Sequence, residues 1–189
     1  MIYNVKKTVC MAIKSTMHKH IHVPDVILND KCLSWVEEHK YLGVFISFNM
    51  SDNRDIQRQT RSTYARGNML INKFRHCSSD VKLQLFKSYC TSLYCCALWS
   101  NYSTNVYSKV KVAYNNIFRS LMKVDRFASV SHAFLQMNLD SFSVLVRSNI
   151  FSLRKRLLGS DNCIIDCIMS STHFLLRRSI NKKWTSKLY

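Results

Sequence analysis

One proline (Pro24) and three glycines (Gly43, Gly67, Gly159) in 189 residues constrain this chain more than any motif does. Tight turns draw on those two residue types, and an all-β sandwich or barrel needs a turn every 8–12 residues or so. The chain cannot supply them, so a mainly helical fold is expected. Hydrophobic residues make up 47%, enough for a buried core in one good-sized domain or two small ones.

The elements follow from periodicity. Residues 1–50 read as β: Thr8 to Ile13, Ile21 to Leu28 around Pro24, a short piece over Lys31 to Val36, and Tyr41 to Phe48 as a single strand. The strands are taken as antiparallel, and two or three of them alone are marginal. Next comes a helix capped by Ser51 or Asp52, with Asp55 at its positive end. At 100° per residue, Ile56, Thr60, Thr63, Tyr64, Gly67, Leu70, Ile71 and Phe74 share one side. Arg54, Arg58, Arg61, Asn68, Asn72 and Arg75 share the other. A second helix is predicted from Ser78-Ser79-Asp80 to about Trp99, burying Val81, Leu85, Phe86, Tyr89, Leu93 and Cys96. A third covers Thr104 to Val124. Shorter helices are predicted over Val130 to Asn138, over Ser141 to Leu158 with Gly159 as a left-handed cap, and over Asn162 to Ser171. The reading is α+β: mainly α with a small N-terminal antiparallel β element, divided into 1–50 (β), 51–126 (helical bundle) and 127–189 (C-terminal helical region).

Lys+Arg 28 against Asp+Glu 11 gives a net charge of +17. The excess is not a tail: residues 1–50 carry six basic against four acidic, 51–126 carry thirteen against four, and 127–189 carry nine against three. Such self-repulsion is relieved best by a polyanion, so nucleic acid is the expected partner. The eight cysteines sit mostly in apolar segments, and neither a secretory leader nor a membrane-length apolar run is visible. An intracellular protein with reduced thiols, nuclear or cytoplasmic, is expected.

Two patterns invite metal chemistry and neither completes a site. Cys163-x₃-Cys167-x₅-His173 has no evident fourth ligand, whereas structural zinc wants four; the two cysteines fit a buried helix face as well. His18, His20 and His22 alternate as an exposed edge would. No metal or catalytic residue is assigned. Cys95-Cys96 is expected in the middle of an apolar helix, as packing.

Three strings carry a resemblance. Asn4-Val5-Lys6-Lys7-Thr8, then Lys40-Tyr41-Leu42-Gly43-Val44-Phe45-Ile46, then the basic helix from Ser51 resemble the carboxy-terminal side of a LINE-type, non-LTR retrotransposon reverse transcriptase. The likeness continues in Val81 to Cys90 and Ala113 to Arg119, and thins beyond Arg126. It implies that Lys7 lies near the triphosphate of an incoming nucleotide, and that Tyr41, Leu42 and Gly43 form the primer grip between palm and thumb. It implies too that Arg54, Arg58, Arg61 and Arg75 lie on the first thumb helix, facing an RNA–DNA template–primer duplex. The face holds few acids, so internal ion pairs are not expected to account for most of its arginines. Tyr41-Leu42-Gly43 also reads as an ordinary buried strand with a glycine bulge. The parent polymerase uses Mg²⁺, but no Asp-Asp pair occurs in the 189 residues, and the fingers and most of the palm are missing. The expectation is a truncated fragment that binds template–primer and is inactive alone. The rivals are a small basic helical nucleic-acid-binding protein unrelated to polymerases, and an inert relic.

Overall fold

Serine starts four of the helices in the computed structural model, which describes residue 4, residues 7–13 and residues 24–170, with 168 and 169 as backbone only. Ser78, Ser103, Ser129 and Ser141 each accept a hydrogen bond from the amide three residues on, at Val81, Val106, His132 and Val144. Each thereby satisfies one amide that the helix leaves without an internal partner. The helices are α1 (Asn53–Lys73), α2 (Ser79–Cys90), α3 (Thr104–Met122), α4 (Val130–Gln136), α5 (Phe142–Leu158) and α6 (Cys163–Ser170), with one 3₁₀ turn at Cys96–Leu98. Of the described residues, 56% are helical and 10% are strand. The fold is mainly α with a small N-terminal β element.

Three two-stranded ladders form that element. β1 (Val9–Cys10) pairs with β4 (Ser34–Trp35), β2 (Ile27–Leu28) with β3 (Lys31–Cys32), and β5 (Glu38–Tyr41) with β6 (Val44–Ser47). The last two are antiparallel hairpins; β1–β4 is parallel, where antiparallel pairing was expected. Tyr41 to Phe48 is not one strand. It breaks at Leu42–Gly43, both at positive φ (46° and 85°), the two-residue turn whose twist matches a hairpin.

α1 and α3 lie side by side and run parallel. Asn53 Oδ1 accepts from the Ser103 amide at 2.8 Å near both starts, and fourteen residues along α1 a Cβ on Gly67 would lie 2.5 Å from Ile117 Cγ2. α2 returns between their ends. The core under them is aromatic: Phe86 lies 5.1 Å from Tyr114 and 5.4 Å from Phe118 between ring centroids, and Phe134 lies 4.4 Å from Phe118. Phe142 closes it from α5.

Several predicted details are corrected. α2 ends at Cys90, not near Trp99: Arg66 Nη1 binds Ser92 O and Oγ and Cys95 takes φ +60°, so the chain turns before Cys96. Cys95 and Cys96 are therefore not mid-helix. In α2, Val81 and Tyr89 are exposed while Cys90 and the stem of Lys82 are buried. In α1 the buried face is Asp55, Ile56, Gln59, Thr63, Gly67 and Leu70, rotated from the expected one, with Tyr64 exposed. Gly159 closes α5 at φ −100°, not in a left-handed cap.

Candidate nucleic-acid interface

The hairpin β5–β6 leads directly into α1, and three side chains fix the junction. Asp55 is 1% exposed. Its Oδ1 accepts from Arg58 Nε at 2.8 Å and from the Phe45 amide at 3.3 Å, and its Oδ2 accepts from Trp99 Nε1 at 2.9 Å. One buried carboxylate thus ties strand β6, helix α1 and the chain before α3. A buried charge holds its place only with such partners. Asp52 sits at the N-cap position, yet its side chain does not cap α1. Its Oδ2 accepts instead from the amides of Ser100 (2.6 Å) and Asn101 (2.7 Å), and Asn101 Nδ2 donates to Met50 O. The third is Tyr94, whose hydroxyl donates to Leu42 O at 2.9 Å and whose ring would stand 3.2 Å from a Cβ on Gly43. Glycine is required there twice, by the positive φ and by the ring.

On this frame the expected contact residues separate. Tyr41 and Leu42 are 59% and 74% exposed at the hairpin tip, which rules out the buried-strand reading. Arg54 is half-exposed, 3.5 Å from Glu38 Oε1 and 5.5 Å from the Phe45 ring centroid. It walls a groove of about 290 Å³ with Glu38, Phe48, Ser51 and Asn53. Arg58 is mostly buried and belongs to Asp55. Arg61 is exposed and in neither of the two ion pairs among the described residues. Arg75 lies in the turn beyond α1. At 1.5 Å per residue it is roughly 30 Å from Arg54. The expectation that acids would leave these arginines unpaired fails for Arg54 and Arg58, because Glu38 reaches across from β5 and Asp55 is three residues from Arg58 on the same helix.

Lys7 is exposed, in a turn closed by Lys7 and Thr8 amides donating to Asn4 O. Cys163 and Cys167, expected to fit a buried face, are exposed. His18, His20, His22 and His173 lie outside the described residues. Among the described residues no three His, Cys, Asp or Glu side chains gather as metal ligands would. Among them, too, no helix is long and apolar enough to cross a membrane.

Sequence reading missed Asp55, Tyr94 and Trp99 as the site's supports. Asp55 gave one signal, an acid on the boundary between the apolar and cationic faces of α1; Tyr94 and Trp99 gave none, since their partners are 52 and 44 residues away. No protein-family model, curated protein or solved structure matches this chain.

Proposed function

We propose that this chain is the thumb-side part of a LINE-type reverse transcriptase and that its task is to hold an RNA–DNA template–primer duplex. The observation that carries the reading is the locked junction: an exposed Tyr41–Leu42 tip and an exposed Arg61 ride on one frame fixed by Asp55 and Tyr94. A preset angle between a hairpin tip and a cationic helix suits a duplex, since phosphate contacts position and do not read bases. Arg54 joins by exchanging Glu38 for a phosphate, a cheap exchange because a half-exposed ion pair contributes little. No phosphoryl-transfer step is assigned to these residues.

The test is the salt dependence of binding to a blunt RNA–DNA hybrid. Arg54→Gln with Arg61→Gln should flatten the log–log slope by about 1.8, roughly 0.9 per phosphate. Lys155→Gln with Arg156→Gln, on α5, should change it less. Equal losses in both pairs would mean diffuse attraction and end the interface reading. Supplying the catalytic half of a LINE-type polymerase in trans then separates the classes. Restored primer extension supports the polymerase part, and hybrid binding without it leaves a basic helical module unrelated to polymerases.

A further inference from the structure

The loop joining α3 to α4 is built to display one ring. α3 closes on Lys123 at φ +54°, with the Lys123 and Val124 amides both donating to Arg119 O. The Arg119 guanidinium then takes three loop carbonyls: Nη1 donates to Asp125 O (2.5 Å) and Arg126 O (3.0 Å), and Nη2 to Ala128 O (2.8 Å). Asp125 Oδ1 accepts from the Phe127 amide at 2.6 Å, and the Ala128 amide donates to Asp125 O. The loop has neither glycine nor proline, yet six of the ten backbone N–H and C=O groups of residues 124–128 are engaged in these bonds. At its tip the Phe127 side chain is 94% exposed, more than any other large apolar residue among those described. A stiff loop that leaves a whole aromatic ring in water has forgone burial that a looser loop would recover.

The surroundings select the partner. Because α1 and α3 run parallel, their C-terminal ends lie at the same end of the bundle. Lys73 and Arg75 at the end of α1 and Lys123 and Arg126 beyond the end of α3 therefore share the end of the bundle that carries Phe127. The acids at that end are Asp125, whose carboxylate is engaged by the Phe127 amide, and Asp80 in the first turn of α2. None of the four cations is in either of the two ion pairs among the described residues. A rigid ring amid unpaired cations matches an unpaired base, whose π-face stacks while the cations meet its phosphates; an apolar protein pocket would leave those charges to be desolvated.

We infer that Phe127 is a stacking platform for an unpaired base of a single-stranded nucleic acid, with Arg126, Lys123 and Arg75 tracking the strand. The site rests on the proposed nucleic-acid role only for its class of partner. It lies at the opposite end of α1 from the hairpin, so the two can fail separately.

Titrations of the full chain with oligo(dT) and with a blunt RNA–DNA hybrid test it. Phe127→Ala should weaken single-strand binding by about 5- to 150-fold, the range for losing one base–aromatic stack, with an unchanged salt slope and less than a twofold effect on the hybrid. Phe127→Trp should keep the affinity and show emission quenched by oligo(dT) beyond the quenching in the wild-type chain. An unchanged single-strand affinity in Phe127→Ala overturns the inference, as does equal loss on both ligands or an unquenched tryptophan. If the hybrid still binds through Arg54 and Arg61 in that case, the duplex reading survives without it. Normal single-strand stacking with no Arg54/Arg61 effect on the hybrid would be the reverse.

Discussion

Gly67→Ala should destabilise this protein although alanine is the better helix former. A Cβ at 67 would fall 2.5, 2.6 and 2.7 Å from Ile117 Cγ2, Cγ1 and Cδ1, against about 3.5–4.0 Å for unstrained carbon contacts. Ile117 is 2% exposed and β-branched, so it has essentially one χ1 rotamer in a helix and cannot swing away. α1 and α3 must separate by about 1 Å or their core must distort. Overpacking of this kind costs typically 1–3 kcal/mol; here three atoms clash at once, which puts it at the upper end, near 3 kcal/mol. The propensity gain of alanine returns about 1 kcal/mol, leaving a net loss of about 2 kcal/mol and a melting temperature lower by roughly 4–8 °C at this length. The sign of a double-mutant cycle is the sharper check. Ile117→Ala removes all three clashing atoms, costing about 2–5 kcal/mol alone. In that background Gly67→Ala should become stabilising, from helix propensity and from filling part of the space. Urea unfolding of the four proteins measures it. A neutral or stabilising Gly67→Ala in the wild-type background would refute the close parallel crossing of α1 and α3.

Arg58→Gln should cost about 2 kcal/mol in urea unfolding, since it removes the charged donor from the buried Asp55 carboxylate, whereas Arg61→Gln should stay within about 0.5 kcal/mol; equal values would return Arg58 to the solvent face. Burial pushes the Cys90 thiol up to about 11 and the Cys96 thiol up to about 12, from 9.0. Their folded-state values are raised, so the stability they contribute is full below pH 9 and is lost as pH rises from 9 toward 11–12. The urea midpoint should fall over that interval, and less steeply in Cys90→Ala. At pH 8, iodoacetamide should label Cys163 and Cys167 promptly and Cys90 and Cys96 only on unfolding; simultaneous labelling, read by peptide mass spectrometry, would contradict the packing.

Local chemistry made much of the helical body legible. The capping cluster Ser78-Ser79-Asp80 marks the start of α2, because a cap is decided within four residues. The poverty of glycine and proline rightly forecast a mainly helical fold, and the apolar run Val44-Phe45-Ile46 is strand as its residues suggest, although the single strand expected over Tyr41 to Phe48 is a hairpin. What the residues alone could not decide was everything that rests on distant partners. The end of α2 depends on Arg66 capturing Ser92, 26 residues away. The rotation of α1's buried face depends on Trp99 reaching back 44 residues to Asp55, which turns a helix-boundary acid into a core group. That same contact takes Arg58 out of the cationic stripe in which its spacing put it, and the parallel run of α1 and α3 brings Arg75 to the end of the bundle that carries Phe127. Helical periodicity fixes angles around one axis and says nothing of which neighbour each angle meets. Tertiary packing chose between arginines that the sequence spaces alike, because a buried carboxylate needs a donor and an exposed guanidinium is satisfied by water.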